Sequence, residues 1–264
     1  MKISEQVSLI ITTYNNPDFL GLVLDSINKQ TIYPKEVIIA DDGSTQETAQ
    51  LIERYQKSFP IPVIHSWIPD EGFRVAKSRN MAIARSTAPY IIIIDGDIVV
   101  TSHFIQDHLS LMKEGQFVTG SRARLKKQAT LSHIKEGNSA FHFFSSGLSR
   151  RLVMLRIPFL HPLIKGHDGL KNARSCHMAF WKTDFIQVNG FEEVFEGWGF
   201  EDSEFVQRLF NTGLKRKNAK LLAPAVHLYH PEKSTENAQK NRSILNNTLS
   251  EHRTRAQKGV DQYL

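Results

Sequence analysis

The stretch "IIIIDGDIVV", residues 91–100, decides the reading. Four consecutive isoleucines show no alternation of apolar and polar positions, so a strand made of them is buried on both faces, as in a parallel sheet covered by helices. The run ends in two carboxylates, Asp95 and Asp97, separated by Gly96. Unpaired carboxylates are costly to bury, and the carboxyl ends of strands in an open α/β sheet are where solvent and ligand are met. The pair is therefore a place for a cation. Asp95 and Asp97 suit a hard divalent ion, Mg2+ or Mn2+, held directly or through water, and Gly96 lets the backbone approach the ligand. Read alone, Asp-Gly-Asp is also a tight turn; the isoleucine strand before it sets it apart.

Outward from that strand the first hundred residues alternate. "VSLIITTY" reads as a buried strand, "NPDFLGLVLDSINKQ" as a helix started by Asn16 and Pro17, and "KEVIIADDGS" as a second strand ending in acids. A helix over "TQETAQLIERYQKS", capped by Ser44 or Thr45, a short strand "PVIHSW" and a helix over "RVAKSRNMAIARS" lead into the isoleucine strand. Strand and helix in this rhythm predict a mostly parallel sheet flanked by helices. Polar residues gather where the strands end, in "TTYNN", "DDGS" and "DGD". No GxGxxG or GxxxxGK[ST] loop is present, so a nucleotide would be held by side chains and a metal.

Beyond "FVTGSRARL" the rhythm is interrupted. From Ser121 to Arg174 there are eleven Lys/Arg against two acidic residues, an excess of nine in a chain whose total is +6. With "FHFF" and "RRLVMLRIPFLHPLIK" inside it, this basic amphipathic insertion fits an element resting on an anionic membrane surface, or a solvated basic face. Nucleic acid is not expected as a partner, because no recognition motif accompanies the charge. The order resumes at "CHMAFWKTDFIQVNGFEE"; "GWGFEDSEFVQRLFNTG" reads as a glycine-rich loop feeding a helix that closes at Gly213, and "KNAKLLAPAVHLYH" as a strand ending in two histidines. After Pro231 polar residues dominate, which predicts a peripheral helix or a frayed tail.

The totals set wider bounds. With 264 residues, 41% of them hydrophobic, the chain builds a sizeable core in one large domain or two packed ones. Its single cysteine, Cys176, excludes an internal disulfide and reads as core. The N-terminus lacks a signal-peptide core and no run reaches the roughly 18–20 apolar residues that span a bilayer, so a cytoplasmic protein is expected, peripheral on the inner face of the plasma membrane if the insertion binds lipid.

Five stretches, "VSLIITTYNN", "EVIIADDGS", "DEGFRVAKSRNMAIARS", "IIIIDGDIVV" and "FEGWGFEDSEFVQRL", together resemble the family 2 glycosyltransferases of GT-A fold. The second half is similar to the C-terminal part of the β4-galactosyltransferase, polypeptide GalNAc-transferase and bacterial chondroitin polymerase group. The resemblance covers roughly residues 6–120 and 175–231 and is carried by the order of the motifs. It implies one GT-A domain over 1–231, with a nucleotide-binding half over 1–120, the insertion over about 121–174, an acceptor and catalytic part over 175–231, and a polar helical appendage over 232–264.

On this chain the resemblance implies that Thr12, Tyr14 and Asn15 line the nucleobase and ribose pocket and that Asp41 or Asp42 contacts uracil or ribose. It makes Arg74 and Arg79 partners of nucleotide or carboxylate. Asp95, Gly96 and Asp97 stand at the family's ribose- and metal-binding DxD. Trp198, Gly199 and Glu201 would shape the sugar and acceptor pocket, Asp202 matches the catalytic base, and His230 the third metal ligand. His177 falls where many relatives carry an asparagine of the sugar pocket, and Ser203 where they often carry a third acid. His227 and His230, three apart on a strand, face opposite sides, so His230 alone is expected at the metal; His133, His142, His161 and His167 are expected at the surface. Without the family pattern, "EDSE" reads as the acidic first turn of a helix.

The expected activity is transfer, with inversion, of a hexose or N-acetylhexosamine from a UDP-sugar to a glycan or lipid-linked glycan acceptor, as in bacterial surface polysaccharide or lipopolysaccharide synthesis. Two rivals are a nucleotidyltransferase, which lacks here its glycine- and arginine-rich signature, and a non-catalytic sugar-binding subunit, which has no need of Asp202.

Overall fold

The computed structural model describes residues 2–166, 169–231 and 237–264. The first half runs β1 (Ile3–Thr13), α1 (Pro17–Ile27), β2 (Tyr33–Asp41), α2 (Gln46–Ser58), β3 (Val63–Trp67), α3 (Val75–Ala84), β4 (Tyr90–Asp95), β5 (Ile98–Val100), α4 (Phe104–Leu111) and β6 (Gln116–Thr119). The second half runs β7 (Ala123–Leu125), α5 (Lys127–Glu136), β8 (Leu148–Ser149), β9 (His177–Trp181), α6 (Lys182–Gln187), α7 (Glu201–Asn211), β10 (Lys215–Asn218), β11 (Ala225–His227) and α8 (Ala238–Ser250). Asn16 caps α1 by accepting from the Phe19 N–H, with Pro17 at the first helical position.

Seven strands form the main sheet in the order β10-β6-β9-β4-β1-β2-β3, parallel except for β9. Ile91 to Ile94 are fully buried and divide by parity: Ile92 and Ile94 enter the core under α1 and α2, Ile91 and Ile93 the core on the opposite face, under α3 and α7. A strand period of two does this, and each buried isoleucine stabilises the fold by roughly 1.5–3 kcal/mol. Strand order turns in opposite directions on either side of the β1–β4 pair, so the crevice opens there, with Thr12 in register with Asp95.

A second sheet, β5-β11-β7-β8, stands beside the end of β4. Here the sequence reading is corrected: "KNAKLLAPAVHLYH" is two strands in different sheets, β10 on the edge of the main one and β11 in the small one. Of the two readings of the tail, the helix is the one present, as α8. Its polar composition gives it no core of its own, yet it docks: α8 lies along α7, Val260 is fully buried in the core beside α3, and the Ala256 and Val260 N–H groups donate to the Val188 and Asn189 carbonyls. Residues 232–236, where the appendage begins, and His167 lie outside the described residues.

Candidate active site

The crevice at the β1–β4 switch is a cleft of about 520 Å3. Thr12, Tyr14, Asp42, Arg79, Asp95, Gly96, Asp97, Trp198, Glu201, Asp202 and His230 all line it, as do Arg122, Arg124, Arg174, Cys176 and His227. Residues from both ends of the chain meet there because β4 delivers Asp95, the small sheet delivers the histidines and the start of α7 delivers Glu201 and Asp202.

Gly96 has a steric reason. Its N–H donates to the Thr12 carbonyl at 2.7 Å, and a Cβ there would sit 2.8 Å from that same oxygen. Two residues later β5 begins, and β11 runs antiparallel to β5 with His227 opposite Ile98, while the Leu228 N–H donates to the Asp97 carbonyl at 2.9 Å. His227 is the last residue of its strand; the chain then leaves extended pairing and brings His230 back. The expectation that the two histidines part is therefore wrong. His227 Nε2 and His230 Nε2 lie 3.5 and 3.1 Å from Asp97 Oδ2, and the three side chains offer ligand atoms within 4.8 Å of one another.

One carboxylate and two imidazoles make a site for a borderline divalent cation, and Asp97 Oδ1 is buried with no hydrogen-bond partner among the described residues. Burial pushes the Asp97 carboxyl up, but the His230 hydrogen bond and the charges of His227, His230 and Arg122 outweigh it and hold it below its ordinary range. Asp95 is not in this group; its Oδ1 accepts from Arg79 Nη2 at 2.9 Å.

Arg79 is expected near nucleotide or carboxylate, and in this structure it reaches two carboxylates and a hydroxyl. Buried to 3% exposure on α3, it donates to Thr12 Oγ1 and Asp95 Oδ1, with its other terminal nitrogen 3.8 Å from Glu201 Oε1. Its guanidinium also lies over the Phe191 ring, 5.3 Å from the centroid. Across the cleft, Asp202 Oδ1 accepts from the Ser203 N–H at 2.7 Å at the first turn of α7. Burial and the neighbouring Asp202 charge raise Glu201 to about 7, with Arg79 pulling the other way. Asp202 is raised as well, by burial, against the opposing pull of Arg174 and Arg79.

Several expected residues stand elsewhere. Asp41 is fully buried, accepting from the Ser44 N–H at 2.8 Å and lying 2.8 Å from His65 Nε2, so of the two acids Asp42 is the one on the wall. Asn15 braces the loop, accepting from the Thr45 N–H, and does not line the cleft. Arg74 turns outward to Glu71 at 2.8 Å, leaving Phe73 and Val75 on the wall.

His177 is corrected most sharply. It is buried beneath Gly120, where a Cβ would overlap its ring, and its Nε2 lies 2.9 Å from His108 Nε2 beside Phe104. Burial depresses it to about 4 and His108 well below the ordinary range, so both are neutral packing groups. Of the histidines expected at the surface, His142 is exposed, His133 is half-buried against Phe141, and His161 is buried with its Nε2 3.0 Å from the Asn218 carbonyl.

Gly199 lines a second cavity of about 250 Å3, which shares Arg174, Trp198, Glu201 and Asp202 with the cleft. The loop carrying Trp198 is held from the tail: Asn241, fully buried on α8, donates to the Glu196 and Trp198 carbonyls, and Lys240 pairs with Glu196 at 3.1 Å. No sequence signal marked Asn241, since a polar residue in a polar tail looks like any other.

Residues 8–166 match the model of glycosyl transferase family 2, and residues 162–231 match the model described as the N-terminal domain of galactosyltransferase. A curated relative, the chondroitin synthase of Escherichia coli, is 24% identical over 89% of this chain and 36% of its own length. The chain spans at most about half the length of the first curated relatives it matches. Among solved structures, Staphylococcus aureus TarS 1-349 in complex with UDP-GlcNAc superposes with a TM-score of 0.66 at 16% identity, covering 98% of this chain and 69% of that one. GalNAc-T7 with UDP, GalNAc and Mn2+ superposes at 0.64 and 13%, covering 94% and 49%. With its family match over more than half its length, the chain belongs to glycosyl transferase family 2.

Proposed function

We propose that this chain is a metal-dependent inverting glycosyltransferase that moves a hexose or N-acetylhexosamine from a UDP-sugar to a glycan or lipid-linked glycan acceptor in bacterial surface polysaccharide or lipopolysaccharide synthesis. It works on the cytoplasmic side, at the inner face of the plasma membrane. The observation that carries the reading is the meeting, in one cleft, of the Asp97–His227–His230 group with the raised carboxylates Glu201 and Asp202. A binding subunit has no use for that second pair.

Asp97, His227 and His230 would hold Mn2+ or Mg2+, the two imidazoles favouring Mn2+. When bound, the ion stabilises negative charge that develops on a leaving diphosphate. Thr12, Tyr14 and Asp42, which line the cleft, would hold the nucleoside, and Arg79 holds Asp95 at the β4 end so that this carboxylate is oriented before a ribose arrives. Asp202 takes the proton of the acceptor hydroxyl as that oxygen bonds to the anomeric carbon; the bond from that carbon to the diphosphate breaks, and UDP leaves on the opposite face. One displacement inverts the configuration, so no residue is assigned as a nucleophile. Trp198, 40% exposed at the junction of the two cavities, is placed to stack on a sugar ring.

The test is UDP release from a panel of UDP-sugars with Mn2+, Mg2+ or EDTA, on the purified protein and on Asp202→Asn. Slow hydrolysis of one donor, abolished by EDTA and by the substitution, is expected. Release of pyrophosphate in place of UDP would turn the reading to a nucleotidyltransferase, and donor binding with no release from any donor or acceptor to a binding subunit.

A further inference from the structure

Large apolar side chains left in water are informative when they cluster. Among the described residues the four most exposed are Phe144 at 79%, Leu152 at 73%, Phe159 at 79% and Leu163 at 75%, and all fall between residues 144 and 163. They do not belong to a frayed segment. Leu152 lies in a 3-10 turn, Arg151–Met154, whose Arg151 donates to the Ser145 carbonyl; Phe159 and Leu163 lie in a second, Pro158–Leu163, pinned by Ile157 N–H to the Leu221 carbonyl and by His161 to Asn218. With three residues per turn, the second turn puts Phe159 and Pro162 on the outer side, Leu163 beside them, and His161 inward.

The same stretch of chain carries the basic excess, and most of it faces water. Arg156 is engaged with Asp107 at 2.7 Å and Arg122 lines the cleft, but Lys126, Lys127, Lys135, Arg150, Lys165 and Lys171 are exposed. Apolar tips among cations suit a surface that is negative outside and apolar just beneath, which describes the headgroup region of an anionic bilayer. A second copy of the chain is disfavoured as the occupant, because it would bring one basic face against another.

We infer that Phe144, Leu152, Phe159 and Leu163 form an edge that inserts into an anionic lipid surface, with Arg150 and Lys165 among the cations that hold it there. The Arg150 end of the edge adjoins the cleft. Arg124, on the cleft wall, pairs through β7 and β8 with Ser149, next to Arg150, and the Tyr229 N–H, one residue before His230, donates to Thr130 of α5. Lipid therefore lies beside the cleft mouth, which suits a lipid-linked acceptor. That orientation deepens the function proposed above and rests on it; the lipid binding itself does not.

The experiment is co-sedimentation of the full chain with phosphatidylcholine vesicles with and without phosphatidylglycerol, at low and high salt. Two double variants are included, Phe159→Ser with Leu163→Ser and Arg150→Glu with Lys165→Glu. Binding to the phosphatidylglycerol vesicles, weakened by salt and lowered about tenfold or more by either double variant, is expected. These side chains face water, so both variants should keep the wild-type melting temperature and UDP affinity; unchanged values show that lost sedimentation is not misfolding and separate this inference from the cleft. Three outcomes overturn it: no binding at low salt, equal binding to vesicles without phosphatidylglycerol, or a dimer in solution that the Phe159→Ser, Leu163→Ser variant abolishes.

Discussion

Two pairs of carboxylates face each other in the cleft, and the protein treats them differently. Asp95 and Asp97 stand at the end of a buried strand and are met by nitrogen groups, Asp95 by the Arg79 guanidinium at 2.9 Å and Asp97 by the His230 imidazole at 3.1 Å. Glu201 and Asp202 begin a helix and are pushed up by burial, with only Arg79 at 3.8 Å reaching Glu201 as an ion pair. Asp97 is held below its ordinary range, and the second pair is raised and poised to take a proton. Carboxylates of the same chemistry acquire opposite tasks from what the fold places within 4 Å of them. Arg79 touches both sides and so couples them.

The largest effect that tests this contrast is on the second pair. Asp202→Asn should lower the transfer rate roughly 10²- to 10⁴-fold, the range of a positioned base, while Mn2+ and UDP affinity stay near wild type. Equal loss of metal binding would break the contrast. Next come His227→Ala and His230→Ala, each expected to weaken Mn2+ affinity at least about tenfold, as judged from supporting residues of metal sites. Activity that survives His227→Ala with unchanged metal affinity would return His227 to a packing role.

The coupling is tested by pH. If the Glu201–Asp202 pair must be ionised, transfer should fall on acidification through about 7, well above the ordinary carboxylate range. Replacing Arg79 by Met removes a charge that lowers both groups, so the acid limb should move to higher pH; a limb that stays put would uncouple the pairs. The sign for stability follows. Glu201 has a folded pKa above its unfolded value, so it favours the fold at low pH and opposes it as pH rises through about 7. Glu201→Gln should thus raise the melting temperature more at pH 8 than at pH 5. The smallest effect is expected at Asn241→Ala, a several-fold drop in kcat/KM with UDP affinity unchanged, because Asn241 holds the Trp198 loop and touches no part of the nucleotide side.

Much of this was legible beforehand for a simple reason. Periodicity reports burial, so the isoleucine run located the central strand, and the acids at its end located the cleft. Asn16–Pro17 and Gly213 marked helix ends through caps that act within one turn. What failed had a non-local cause. His177 sits where a pocket residue was expected, yet His108 and Phe104 on α4 draw it into the core. His227 was set aside by strand alternation, which ceases to hold at the strand's last residue.

The sequence by itself determined the doubly covered sheet, the place where it opens and the identity of the acids there, because those depend on neighbours a few residues apart. Only the tertiary structure decided which side chains complete the site. The small sheet sets His227 beside Asp97 across 130 residues, Arg79 ties Asp95 to Glu201 across 106, and α8 fixes the Trp198 loop through Asn241. Contacts of that range are made by packing, and they decide which partners each carboxylate has.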